Sequence, residues 1–121
     1  MTATPGFSKK TVDVNTRHFL VKVLKFENGN FVSVSEGSER LGSMVVSLST
    51  GPTPVTTTVI PARTESIFLK LTAERISTST RGIAIVSTYV QRELEPETAK
   101  TLMTAIMELI QTWLIWETIF H

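Results

Sequence analysis

Phe26-Glu27-Asn28-Gly29-Asn30-Phe31 sits between the apolar run 19–26 and the alternating segment Phe31-Val32-Ser33-Val34-Ser35. Asn-Gly tolerates the positive φ that tight hairpin turns demand, so this stretch predicts two antiparallel strands joined by a short turn. In the second strand Val32 and Val34 alternate with Ser33 and Ser35. That pattern buries one face and wets the other, and it places the strand near an edge of its sheet.

Upstream, Thr11-Val12-Asp13-Val14 reads as a further strand, and Asn15-Thr16 supplies the turn into the apolar run. Downstream, Leu41-Gly42-Ser43-Met44-Val45-Val46-Ser47-Leu48 resumes the alternation, with Met44, Val46 and Leu48 on one face. Gly51-Pro52-Thr53-Pro54 ends that strand, since proline cannot donate to a ladder, and Val55–Ile60 forms a fifth one closed by Pro61.

Thr64 caps a predicted helix running to Ile76, with Glu65 complementing the dipole. At about 100° per residue its apolar positions fall into two groups: Ile67, Phe68 and Leu71 on one side, Leu69, Ala73 and Ile76 on the other. One sheet cannot cover both, so Leu69, Ala73 and Ile76 are a candidate partner interface. Residues 77–82 read as a turn, and 83–90, apolar on both faces for most of its length, as a central strand. Pro96 suits the first turn of a second helix, with Glu97 beside it. Ala99, Leu102, Met103, Ile106, Leu109, Ile110 and Trp113 then make one stripe that should lie across the sheet. Beyond Trp113 the phase fails, because Ile115 and Ile119 fall on the polar side and Glu117 on the buried one. The tail therefore leaves the helix or meets something else.

The order of elements predicts a single α+β domain: about six strands in one antiparallel sheet, with two helices packed on it. The chain has 121 residues, 41% of them hydrophobic, which suffices for one core and not for two. Its 19 Thr and 11 Ser favour half-buried strands. Twelve basic against eleven acidic residues leave a net charge of +1, so no overall field draws the protein to nucleic acid or an anionic membrane. Zero cysteines remove disulfides, thiolate metal sites and cysteine nucleophiles together. That composition, and a start without an apolar run behind a basic region, predict a cytoplasmic or nuclear protein.

Nothing in the chain assembles a catalytic centre. Of the two histidines, His18 follows Arg17 at a strand start without a useful neighbour, and His121 is the last residue. Glu93, Glu95 and Glu97 precede or begin a helix, where complementing its dipole explains them. Ser77-Thr78-Ser79-Thr80-Arg81-Gly82 lacks the glycine spacing and the lysine of a phosphate loop. Basic residues are scattered, and most aromatics fall on predicted buried faces, which is not the pattern of a nucleic-acid module. No enzyme, cofactor or metal is expected.

The apolar stretch 102–120 approaches the length of a membrane crossing, but Glu108 near its middle would cost about 2.5 to 3.5 kcal/mol on insertion. A membrane anchor is therefore not expected. Trp116, Ile119 and Phe120 read as core or as partner interface, and the sequence leaves these two open.

The succession Ser8-Lys9-Lys10-Thr11, the long strand through Phe26, the hairpin, Leu41-Gly42-Ser43-Met44-Val45-Val46-Ser47-Leu48, Val55-Thr56-Thr57-Thr58-Val59, then helix, strand and helix, resembles the proteasome assembly chaperone three family. The related fourth chaperone type has the same architecture. The resemblance runs from about Ser8 to Trp113 and rests on the order and spacing of weakly specific apolar patterns. It implies three parts: an N-terminus, 1–7, without fixed structure, a chaperone-like domain over 8–113, and an apolar tail, 114–121, that exceeds the family's usual end. It also implies a non-enzymatic chaperone that dimerises with a sister chaperone or with itself. That chaperone would hold an alpha-type proteasome subunit while the alpha ring assembles, and then leave. A small dimeric trafficking adaptor of the roadblock or longin type is the competing reading.

Overall fold

The computed structural model describes residues 6–62 and 67–120, with side chains described up to Gln111. It contains β1 (Gly6–Val14), β2 (Arg17–Phe26), β3 (Gly29–Glu36), β4 (Ser43–Leu48), β5 (Val55–Ile60), α1 (Ile67–Thr80), β6 (Ile83–Tyr89) and α2 (Pro96–Phe120). The six strands form one sheet in the order β1-β2-β3-β6-β4-β5, with both helices packed on it. The α+β class, the strand number and the helix number are as the sequence predicts. β1 begins at Gly6, two residues ahead of Ser8 where the domain was expected to start.

Two expectations about the sheet need correction. β3 is no edge strand but lies between β2 and β6. The sheet is also not wholly antiparallel, because β3 and β6 run parallel, Val32 beside Val86 and Val34 beside Thr88. The reason lies in the connections: β4, β5 and α1 intervene before the chain returns, and β6 then enters between β3 and β4, antiparallel to the latter. Alternation alone misplaced β3, since its serines lie on the side of the sheet away from the helices, Ser35 beneath the loop 37–42, rather than at an edge.

The turns follow backbone chemistry. Asn15 and Thr16 both adopt positive φ, 49° and 64°, and join the paired residues Val14 and Arg17 in a two-residue hairpin. Asn28 and Gly29 do not use the positive φ expected of them. Gly29 instead opens β3, where an added Cβ would lie 2.4 Å from the Ile83 carbonyl oxygen. The helix signals were also misplaced at one end: α1 runs on to Thr80 through residues expected to turn. It stops where Arg81 takes φ 57° and the Gly82 amide donates to the Ser77 carbonyl at 3.2 Å. The predicted cap Thr64 and its neighbour Glu65 lie outside the described residues. α2 continues through the predicted break at Trp113 to Phe120.

Both helices cover the same side of the sheet. Phe19, Val21 and Val23 of β2, Val32 and Val34 of β3, Val86 of β6 and Val45 of β4 point toward them. Leu69, Ala73 and Ile76 of α1 and Leu102, Ala105, Ile106 and Ile110 of α2 complete the core from the other side. At about 25 cal/mol per Å² of apolar surface, this shared layer is the main source of stability. Hydroxyls pin α1 to the far strands: Ser77 Oγ lies 2.9 Å from Ser47 Oγ, while Thr56 Oγ1 donates to Glu74 Oε2 at 2.8 Å.

Candidate partner-binding surface

With both helices on one side, the registers show what the other side of the sheet carries. Phe7 pairs with Leu24, Leu24 with Phe31, Phe31 with Ile85, Ile85 with Val46 and Val46 with Thr57. The result is one apolar row running across all six strands to a polar end at Thr57. A second row beside it runs Phe26, Gly29, Ile83, Leu48 and Val55. Phe26, Leu48 and Val55 are 58%, 38% and 66% exposed, and Phe7 and Leu24 are exposed as well. Apolar side chains scattered singly over a surface are ordinary; two adjacent rows of them form a contiguous patch of the kind that marks an interaction site.

The rest of this face is more polar and partly roofed. Its next row is Lys9, Lys22, Ser33, Ser87 and Met44. Over it folds the loop 37–42: Lys22 pairs with Glu39, Ser35 Oγ donates to the Arg40 carbonyl at 3.1 Å, and the Arg40 guanidinium stacks 5.5 Å from the Tyr89 ring centre. Gly42 lets the loop close, since a Cβ there would meet the Thr88 carbonyl oxygen at 2.1 Å. A polar, covered end and an apolar, open end thus divide one sheet face.

The predicted interface on α1 is not at this surface. Leu69, Ala73 and Ile76 are 3%, 0% and 0% exposed and pack into the core. Thr72 and Ser77 are buried on the same stripe, and Ile67 and Leu71 are exposed instead. Phe68, grouped with Ile67 and Leu71 in the sequence, packs partly against the core as well. Trp116, Ile119 and Phe120 belong to α2, and their side chains lie outside the described residues. Between the helices runs a groove of ≈ 1450 Å³ lined in part by Phe68, Leu71, Met103 and Met107.

The charged residues organise the opposite end of the helix side. Arg17 is buried there: its Nε donates to Glu36 Oε2 at 2.9 Å and its Nη2 to Glu36 Oε1 at 2.7 Å. The same guanidinium donates to the carbonyls of Arg92 and Glu93 and to Glu95 Oε1, each at 3.0 Å. It thereby holds the β6–α2 connection against β2 and β3. The Arg17 hydrogen bonds keep the Glu36 carboxyl below its ordinary range, against the opposing effect of burial. Glu95 is held down to about 2, first by its own backbone amide, then by the Thr98 hydroxyl and by Arg17. Helix-dipole complementarity was therefore only part of the reason for Glu95. His18 is exposed as expected, yet it does have a neighbour, Asp13, with Nδ1 2.6 Å from Oδ1. Among the described residues, no group of His, Asp and Glu is placed to hold a metal ion, and no helix is long and apolar enough to cross a membrane.

Comparison with known proteins gives a fold and not a family. No family model matches the chain, and no curated protein matches it. Among solved structures, it is similar to a chain of a chaperone complex for yeast 20S proteasome assembly, with a TM-score of 0.66. The likeness covers 85% of this chain and 97% of the yeast chain at 9% sequence identity. The domain of that yeast chain is thus reproduced here almost entire.

Proposed function

We propose that the protein is a non-enzymatic chaperone of proteasome assembly, acting by contact with other chains through the open face of its sheet. The observation that carries the reading is the pair of apolar rows on that face, presented by a domain that shares its fold with a chain of a yeast assembly chaperone complex. The sequence resemblance to the third and fourth proteasome assembly chaperones points the same way. In this reading the chain pairs with a related chaperone, holds an unassembled alpha-type subunit in the cytoplasm or nucleus, and releases it as the alpha ring closes.

Release limits the contact to standard size or less, with a few apolar anchors inside a polar rim. The open face has that form: Leu24, Phe31, Ile85 and Leu48 lie beside Lys22, Glu39 and Arg40.

Capture from native extract tests the reading. Immobilised full-length chain should retain alpha-type proteasome subunits, and Leu24→Asp with Leu48→Asp should abolish retention without lowering the melting temperature by more than a few degrees. Recovery of small GTPases or coat proteins with no proteasome subunit would overturn the chaperone in favour of the adaptor. Retention unaffected by the double substitution would show that the open face is not the surface used.

A further inference from the structure

The two helices stand apart on their side of the sheet. α1 packs mainly on β4 and β6 and α2 on β1 and β2, so they touch each other little and the groove of ≈ 1450 Å³ opens between them. Its walls follow helical spacing: Ile67, Leu71 and Arg75 recur every fourth residue on α1, as Ala99, Met103 and Met107 do on α2. Met103 and Met107 pack down against the core, whereas Ile67 and Leu71 are 68% and 53% exposed. Apolar side chains lined up along a concave surface mark a binding site, and methionine, unbranched and polarisable, gives it an adaptable floor.

The walls also decide the form of a guest. Helices bond their interior backbone groups to one another, so the groove offers no ladder to an extended strand. A segment that enters must satisfy its own amides and carbonyls, and a helix with an apolar stripe at i, i+3, i+4 and i+7 does so. At 1.5 Å per residue the spans 67–75 and 99–107 are each about 12 Å long, enough to grip about two turns of such a helix.

The charge of the groove decides the rest. Arg40, Arg75, Arg92 and Lys100 line it against Glu93 and Glu108. Glu108 is held by Lys10 at 3.0 Å, Arg92 lies 3.6 Å from Glu95, and Arg40 stacks on Tyr89. Arg75 and Lys100, one on each helix, form no ion pair among the described residues. Two open cations beside an apolar channel favour an acidic guest and repel a basic one.

We propose that the groove between α1 and α2 receives an amphipathic helix of a partner protein, apolar where it meets Leu71 and Met103 and acidic along its margins, where it meets Arg75 and Lys100. The groove lies on the helix side of the sheet and the open face on the other, so the proposal does not require the chaperone reading.

The probe is a fluorescein-labelled synthetic peptide of about four helical turns, with leucines at i, i+3, i+4 and i+7 and glutamates flanking them, titrated with the full-length chain and followed by anisotropy. It should bind with a dissociation constant of about 100 µM or tighter, and about tenfold more weakly when lysines replace the glutamates or a central proline breaks its helix. Leu71→Ser, at an exposed position, should weaken binding of the glutamate peptide about tenfold. Lys100→Glu should do the same, whereas Arg81→Glu, an equal change of charge beyond the end of α1, should leave it unaltered. Arg75→Glu combined with Lys100→Glu should prefer the lysine peptide to the glutamate one, a gain that a misfolded chain cannot give. No binding of the glutamate peptide, equal affinity of the parent chain for both peptides, or an unreversed preference in the double variant would overturn the proposal. Undiminished binding of the proline peptide would overturn it as well, since the guest would then be extended. None of these results measures capture of proteasome subunits, so the two readings fail separately.

Discussion

Arg17 and Glu36 face each other as a two-pronged pair, Nε to Oε2 at 2.9 Å and Nη2 to Oε1 at 2.7 Å, with Arg17 3% and Glu36 5% exposed. Removing one member leaves the other buried and uncompensated, which costs about 3 to 5 kcal/mol. Arg17→Met is therefore expected to lower unfolding stability in denaturant by that amount. Arg17→Met combined with Glu36→Met should recover a substantial part. Equal stability of the single and double variants would show that the pair does not act as a unit.

The same site predicts an acid response. Glu36 and Glu95 have folded-state pKa values below the ordinary 4.5, so each favours the folded chain above that pH and loses its contribution as pH falls through its lowered value. For Glu95 the window runs from 4.5 down to about 2. Glu95→Gln should flatten the fall of melting temperature across this window relative to the parent chain. Parallel curves would remove Glu95 from the account.

Thr72 tests the polar interior from the other direction. Its Oγ1 is buried and finds no hydrogen-bond partner among the described residues. A buried hydroxyl left without a partner costs about 1 to 3 kcal/mol, and valine has nearly the same shape. Thr72→Val should raise stability by about 1 kcal/mol, measured by denaturant midpoint at constant slope. A loss would mean that the hydroxyl is satisfied.

Ile106, fully buried between α2 and the sheet, should cost about 2 to 5 kcal/mol on replacement with alanine. A chain ending at Trp113 separates the two readings of Trp116, Ile119 and Phe120, by its melting temperature and by partner capture in its folded fraction. Loss of partner capture in that folded, shortened chain would assign Trp116, Ile119 and Phe120 to an interface. Loss of the fold would assign them to the core.

Much of this architecture was legible in periodicity. The α2 stripe through Leu102, Ile106 and Ile110, the central β6, and β5 between its prolines all follow from local pattern. What periodicity could not supply was partnership across distance. Val32 and Val34 alternate with serines whether their strand is an edge or a centre, and only the arrival of β6 decides it. Likewise, two apolar groups on α1 announce two environments without saying which is the sheet. Arg17 and Glu36 stand 19 residues apart, and the connection they hold is 75 to 78 residues from Arg17, so no spacing rule joins them. The open-face rows were readable only in part, because Phe7, Phe31, Ile85 and Val46 become one row once the registers are known.

The insertion of β6 between β3 and β4 also dictates an order of events during synthesis. Residues 6–36 can form the β1-β2-β3 meander, and 43–60 the β4-β5 hairpin, but these two pieces have no ladder with each other. Until residue 89 has been made, the inner edges of β3 and β4 both stand unpaired, one bearing Val32 and Val34 and the other Val45. A nascent chain in that state is two sticky fragments held by a loop, vulnerable to pairing with its neighbours on the same polysome. The fold is thus completed by a keystone that emerges late, and α2, made after it, packs on a sheet that β6 has already closed.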